Sequence, residues 1–227
     1  MKRYGIWIGV LVGAALVMWL LTCFVFSSYL ILSPDMKDSL LPGERVVVNK
    51  WSYGLRLPCM RWLDYYRISE SKVQKGDIVV FNNPLEVSEP VIDCRKPLVY
   101  RCFAVPGDTI SVDSFRFVIP KAGASIEVTP SNCMLLCNTL RLHEGRNAMV
   151  KKNILYIDCE PVKWCMFTKD YYWMISDKMP NVTDSHLFGL VPADHIIGRA
   201  TRIWFSKDVN QDLFHGYRWN RFFNIVR

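Results

Sequence analysis

The chain begins with one unbroken apolar block and then changes rhythm. Ile6 to Val25 is a charge-free stretch, and Ser27-Ser28-Tyr29 separate it from a last apolar triplet, Leu30-Ile31-Leu32. At about 1.5 Å of rise per residue, roughly twenty residues span a hydrocarbon core of about 30 Å. The pattern predicts a single transmembrane helix over residues 5–32. Lys2 and Arg3 precede the block, and the next charge is Asp35. The positive-inside bias then leaves residues 1–4 in the cytoplasm and exports residues 33–227. A cleavable secretory signal is the competing reading. Its apolar region would be about 7–15 residues with a small-x-small site after it, which Ser27-Ser28-Tyr29 supplies poorly. No later stretch approaches membrane length, so the expected topology is single-pass in the cytoplasmic (inner) membrane, with the main domain on its outer, periplasmic side.

Beyond residue 33 the apolar residues come in short runs closed by turn residues. Arg45 to Asn49 follows Pro42-Gly43, Ile78 to Phe81 follows Gly76-Asp77, and Leu98 to Val105 runs into Pro106-Gly107-Asp108. Further runs are Thr109 to Val112, Arg116 to Ile119, Ser125 to Val128, Asn153 to Asp158, Tyr171 to Ile175 and Ile196 to Phe205. Runs this short, rich in Val, Ile, Tyr and Phe, predict a mainly β, antiparallel domain. One short helix is predicted from Cys133 to Leu140, with Ser131 or Asn132 as N-cap. The chain of 227 residues has room for the anchor and one sizeable domain with its own core.

The formal charge is +7, and the C-terminal end is basic: Arg199, Arg202, Lys207, Arg218, Arg221 and Arg227 face only Asp208 and Asp212. In an exported domain that balance suits an anionic lipid surface better than nucleic acid, or it is a solvated face. Seven cysteines follow the anchor, and an odd number implies a free thiol or a partner bond. Cys133, Cys137, Cys159 and Cys165 with His143 match no familiar zinc spacing, so no metal or other cofactor is expected.

The residues that carry chemistry are recognised through a resemblance. The segment from Ser33 to Glu44 resembles the active-site segment of bacterial type I signal peptidases, Ser-Met-x-Pro-Thr-Leu followed by a Gly-Asp turn. Val46-Val47-Val48-Asn49-Lys50, with Tyr53-Gly54-Leu55-Arg56-Leu57-Pro58, is very close to the family's next block. Gly76-Asp77-Ile78-Val79-Val80-Phe81 matches the strand that starts Gly-Asp. Tyr100 to Asp108 resembles Lys-Arg-Val-Ile-Gly-x-Pro-Gly-Asp. Ser176 to His186 aligns with Gly-Asp-Asn-Arg-x-Asn-Ser-x-Asp-Ser-Arg, and Phe188-Gly189 and Ile197-Gly198-Arg199-Ala200 follow. Residues 111–170 lie between matching blocks and read as an insert or sub-domain.

The resemblance implies a Ser/Lys dyad that cleaves exported preproteins after a small-x-small motif. It also implies what this chain lacks. The nucleophile falls on Asp35, the general base on Tyr100 and the serine that steadies the base on Val182. Only the oxyanion hydroxyl survives, as Ser33. A carboxylate forms an easily reversed anhydride, and a phenol is a poor base near neutral pH. A negative charge at Asp35 also opposes an oxyanion.

The family reading is therefore a catalytically inactive membrane protein that binds signal-peptide-like segments or preproteins, an active peptidase or another secretion component. The alternative is an active enzyme with a relocated nucleophile, Ser33 or Ser39. Lys37, Lys50 and Lys96 are candidate bases, and an acid pair of Asp35 with Asp77 or Asp108 is the remaining route. Met36, Leu40, Ile78, Val80 and Phe103 are the candidate peptide-contacting residues, by strand addition. His186 and His195 read as structural or surface histidines.

Overall fold

The computed structural model describes residues 2–56, 66–69, 71–112, 115–177, 184–212 and 214–226; the side chains of 2–6, 8, 20–24, 55 and 112 lie outside that description. The apolar block forms α1 (Lys2–Phe24), 23 residues with no preferred polar face among its described side chains. Trp7, Leu11, Met18 and Trp19 all stand more than half exposed. Among the described residues no helix is long and apolar enough to cross a membrane; the side chains described along α1 are those of Trp7 and Gly9–Trp19.

The helix stops earlier than the apolar block does. Phe26–Leu30, inside the stretch expected to be anchor, forms strand β1, paired antiparallel from Phe26↔Asn49 to Leu30↔Arg45. Serines at 27 and 28 weaken the helix, and aromatic residues at 26 and 29 favour a pleated strand. The partner is β2 (Glu44–Asn49).

Five more strands complete the main sheet: β3 (Ile78–Asn82), β4 (Pro97–Ala104), β5 (Tyr171–Ile175), β6 (Val191–Pro192) and β7 (Ile196–Ser206). Their order is β1-β2-β7-β3-β4-β5-β6, and every neighbouring pair is antiparallel. All of β3 is buried, whereas β2 alternates between buried and more exposed positions. β7 pairs with β3 over Ile196–Arg199 and with β2 from Arg199 onward, through several register shifts. Such irregularities bend a strand and increase its twist. At Gly198 the bend brings two backbones together: a Cβ there would sit 2.5 Å from Asn49 O, so only glycine fits.

Two cores share the sheet. The first lies under β2, β3, β4 and β7 and takes in Met36, Leu40 and Tyr53. The second gathers the hairpin of Thr109–Val112 with Phe115–Val118, the pair Ser125–Glu127 with Trp164–Met166, and α2 (Cys133–His143). β5 joins them by its period of two: Tyr172 and Met174 enter the first core, Tyr171 and Trp173 the second. α2 runs one turn past the predicted Leu140. Asn132 makes no side-chain cap; its Oδ1 accepts from Thr129 N–H (2.8 Å) and its Nδ2 donates to Glu127 O (2.9 Å), which pins the preceding loop instead.

The C-terminal segment returns to the main sheet. Ile203 N–H donates to Asn224 O (2.8 Å) and Val226 N–H to Thr201 O (3.0 Å). Arg221 grips the buried Glu44 with both Nε (2.8 Å) and Nη2 (3.0 Å), and Nη2 also donates to Ser39 O (2.9 Å). This fork-on-carboxylate clamp holds both ends of the 39–44 turn.

Candidate active site

The site is built on the segment between β1 and β2. Ser33 caps a single 3₁₀ turn, Pro34–Met36, and its Oγ accepts from Asp35 N–H at 3.4 Å. Proline at the first position pre-sets φ for that turn. Met36, fully buried, then plugs the turn into the first core and leaves Asp35 half-buried at its lip.

Tyr100 approaches from β4. Its ring is buried against Phe81 and Phe188, with centroids 6.0 and 5.9 Å away. Its hydroxyl donates to Asp35 Oδ2 at 2.9 Å. A second contact comes from the end of β5, where Ser176 Oγ donates to Asp35 O at 2.6 Å. Thus β4 and the end of β5 both bring a hydroxyl to one aspartate.

Beside this contact lies a tighter knot. Ser39 Oγ donates to Asp177 Oδ2 (2.5 Å) and accepts from Arg101 Nη2 (2.6 Å), while Arg101 Nε pairs with Asp177 Oδ1 (2.8 Å). The hydroxyl's proton and a lone pair are both engaged. The guanidinium also stabilises the carboxylate that would have to act as its base.

The family model described as signal peptidase, peptidase S26, matches residues 4–205. The chain belongs to that family. It is similar to signal peptidase I of Pseudomonas aeruginosa, 28% identical over 82% of this chain and 67% of the relative. Signal peptidase I of Haemophilus influenzae is 25% identical over 93% of this chain and 72% of its own length. That of Buchnera aphidicola from Acyrthosiphon pisum is 26% identical over 92% and 78%.

Within the signal peptidase frame, the positions read as nucleophile and base, Asp35 and Tyr100, meet in a direct hydrogen bond. Val182 lies outside the described residues. Among the described residues no lysine is hydrogen-bonded to Ser33 or Ser39: Lys37 and Lys96 are exposed, and Lys50 lines a cavity at the far end of β1. Asp77 and Asp108 are turn residues with other partners. Asp77 accepts from Tyr53 Oη and Gln74 N–H, and Asp108 from Val105 N–H and Lys75.

Four of the five residues expected to touch peptide, Met36, Leu40, Ile78 and Val80, are buried in the first core, and Phe103 alone presents surface. Ile78 and Val80 belong to a strand buried on both faces, and Met36 and Leu40 turn inward from the segment between β1 and β2, directions that sequence order leaves open. The backbone offers a different surface. Among the described residues, β1 pairs only with β2, and residues 97–100 of β4 pair only with β3. Tyr29 of β1 and Pro97 of β4 line one cavity, and Asp35, just after β1, meets Tyr100 of β4.

Sequence reasoning also passed over Arg101, Ser176 and Asp177 as site residues. His195 is indeed a core histidine, bonded through Nδ1 to Asp194 (2.8 Å) and packed edge-on to His143 at 5.4 Å. His186 Nδ1 contacts Asp184 Oδ1 at 2.6 Å. The six described cysteines, Cys94, Cys102, Cys133, Cys137, Cys159 and Cys165, are free thiols. Burial pushes Cys102 up to about 12 and Cys165 up to about 11, so both stay protonated and inert near neutral pH.

Proposed function

We propose that this chain is a catalytically silent signal peptidase that binds signal-peptide-like segments along the facing edges of β1 and β4. The observation that carries this reading is the Tyr100–Asp35 hydrogen bond, which joins the two dyad positions as phenol and carboxylate. Neither group can supply an activated hydroxyl, and the carboxylate stands where negative charge would have to develop. The strand edges support the binding half of the proposal, because unpaired N–H and C=O groups are what an added strand takes up.

The proposal includes a membrane anchor in α1 and an exported domain over residues 33–227, with 111–170 as its sub-domain. Exposed Trp204, Phe214, Trp219 and Phe223 lie among Lys207, Arg218 and Arg221, a composition that beds on anionic lipid headgroups. Trp204 Nε1 donates to Ser28 Oγ (2.8 Å), tying this face to the strand that leaves α1. An active signal peptidase or another secretion component is the wider class of partner.

The test is to incubate the purified full chain in detergent with a preprotein and with its signal peptide. Saturable peptide binding without cleavage is the expected result. A second reading, an active enzyme using Ser39, draws on the Ser39–Asp177 hydrogen bond. Cleavage that disappears in Ser39→Ala, or in Ser33→Ala, would establish it and end the silent reading.

A further inference from the structure

The second core borders a cavity of about 290 Å³ that the candidate site does not use. α2, the hairpin strand Phe115–Val118, β5 and the short helix Ser185–Phe188 all contribute to its wall. Phe117, Leu135, Phe188 and Leu190 line it, together with Phe115 and Met134, which are more than half exposed. No Asp, Glu, Lys or Arg is among its described lining residues. The ionisable side chains there are His143 and His186; burial, with His195 alongside, lowers His143 to about 3, so it is uncharged near neutral pH. Phe188 also packs on Tyr100, so the cavity backs onto the Asp35 contact.

Trp173 is the odd member of this wall. Its side chain is 4% exposed and packs edge-on against Phe117 (5.2 Å) and His186 (5.6 Å), two residues that also line the cavity. Its Nε1–H is buried and has no acceptor among the described residues. An indole nitrogen can only donate, and a buried donor without an acceptor is costly. The Phe117 ring has no polar atom, and His186 has Nδ1 turned to Asp184 at 2.6 Å. Because the indole itself lines the cavity, that open space is where an acceptor can reach it.

We infer that this cavity binds a small, uncharged molecule of about two rings, whose carbonyl oxygen accepts from Trp173 Nε1–H. Size sets the first limit: an apolar cavity of about 150 Å³ takes up benzene, so one of about 290 Å³ has room for a second ring. Charge sets the next. A carboxylate or ammonium would enter without an ionic partner among the described lining residues, and its desolvation would go unmatched. The carbonyl follows from the orphaned donor, since ligand pockets are apolar walls in which a few polar groups set orientation. Water is the competing acceptor. A buried water needs about two to four polar partners, and of the two rings packed on the indole only His186 has a polar atom to offer. The site stands independently of the peptide-binding reading.

The experiment follows the indole N–H resonances of the full chain, isotope-labelled at its indole nitrogens and held in lipid nanodiscs. The probes are indanone, its parent hydrocarbon indane, and phenylacetate; free probe is measured by dialysis, because the neutral two partition into lipid. Trp173→Phe identifies the Trp173 resonance. Indanone should move that N–H proton downfield and saturate, indane should compete without the downfield shift, and phenylacetate should leave the resonance in place. The preference for indanone over indane should fall about fivefold in Trp173→Phe, the loss of one hydrogen bond. Met134→Trp, at an exposed position on α2, narrows the cavity; it should abolish the saturable shift while the retained Trp173 resonance reports a folded chain. No saturable change with either neutral probe refutes the site. Saturable binding of both with the N–H proton unmoved gives the donor to water or to a ring face and overturns the proposal. Phenylacetate binding as tightly as indanone overturns the uncharged class.

Discussion

Two aspartates in this molecule face a tyrosine hydroxyl at the same 2.9 Å, Asp77 with Tyr53 and Asp35 with Tyr100. Asp77 is buried in the Gly76-Asp77 turn, takes a backbone N–H from Gln74 (3.1 Å) and pairs with Arg199 (3.1 Å). Burial, reinforced by the facing carboxylate, pushes the Tyr53 phenol far above its ordinary value. That pair is a buttress that fixes where β3 begins. Asp35 instead sits half-buried on a one-turn helix, with its tyrosine arriving from β4 just before the stretch, Arg101 to Ala104, that pairs with β5. The same two functional groups serve as scaffold in one place and, on the reading proposed above, as a replaced reaction centre in the other. Identity of the pair does not assign a role; access to it does.

The strongest way to break the comparison is to rewrite the accessible pair. Asp35→Ser with Tyr100→Lys places a hydroxyl and an amine where a carboxylate and a phenol now touch. Phe81 and Phe188 would flank the new lysine and favour its neutral form by desolvation. Preprotein cleavage should rise at least about 100-fold above the parent chain, while each single substitution stays at background, because nucleophile and base act as a unit. Equal activity in one single variant would show that the other position is not the base or nucleophile.

Next in size is the buttress itself. Asp77→Ala leaves a buried hydroxyl and Arg199 without their carboxylate and should cost about 3 kcal/mol of unfolding free energy. Arg199 is half exposed, so its share is small. Asp35→Ala, at a half-buried site, should cost about 1 kcal/mol. Urea unfolding in detergent measures both, and equal losses would dissolve the distinction between scaffold and site.

How legible these two pairs were differs for a physical reason. The Asp77 turn is local: glycine, aspartate and the following apolar run are adjacent in sequence, and the expected strand over 78–81 is found at Ile78–Asn82. Tyr171–Ile175 was likewise readable to the residue. The Asp35–Tyr100 contact spans 65 residues and became visible only through a family resemblance. The Ser39–Arg101–Asp177 knot joins residues 62, 76 and 138 positions apart, and no local pattern announces it. β1 was hidden because only Ser27 and Ser28 interrupt the apolar residues that run from α1 to Leu32, too short a polar break to mark a change of element. The direction of Ile78 and Val80 was unreadable because a run buried on both faces carries no alternation, and Met36 and Leu40 lie in a turn segment with no strand period.

A third carboxylate extends the comparison to pH. Asp194 is bonded to His195 and Lys169 (2.8 Å each), and those bonds hold its carboxyl well below the ordinary range despite burial. Burial, with His195 alongside, lowers His143 to about 3, and burial also lowers His195. Arg95 and Lys169 oppose protonation from neighbouring elements, and Glu144, bonded to Tyr171, stands on the next turn. Both imidazoles are therefore neutral when folded and titrate near 6.5 when unfolded, so the unfolded chain binds more protons as pH falls. Stability should fall from about pH 6.5 toward pH 3, by at most about 1.4 kcal/mol per pH unit for each histidine. His143→Gln should flatten that slope in a pH series of unfolding curves.

The smallest effect is the most pointed. Tyr100→Phe removes one hydroxyl and keeps the ring against Phe81 and Phe188. It should cost about 1 kcal/mol, the net worth of one hydrogen bond, since water can reach half-buried Asp35 in its place. Tyr53→Phe should cost about twice that, because water cannot so readily replace the phenol on buried Asp77. If Tyr100→Phe instead loosens peptide binding several-fold with stability unchanged, the Tyr100–Asp35 contact holds the facing edges of β1 and β4 open for a bound segment. A loss confined to stability would make it a second buttress, and the proposed peptide binding would then rest on the strand edges alone.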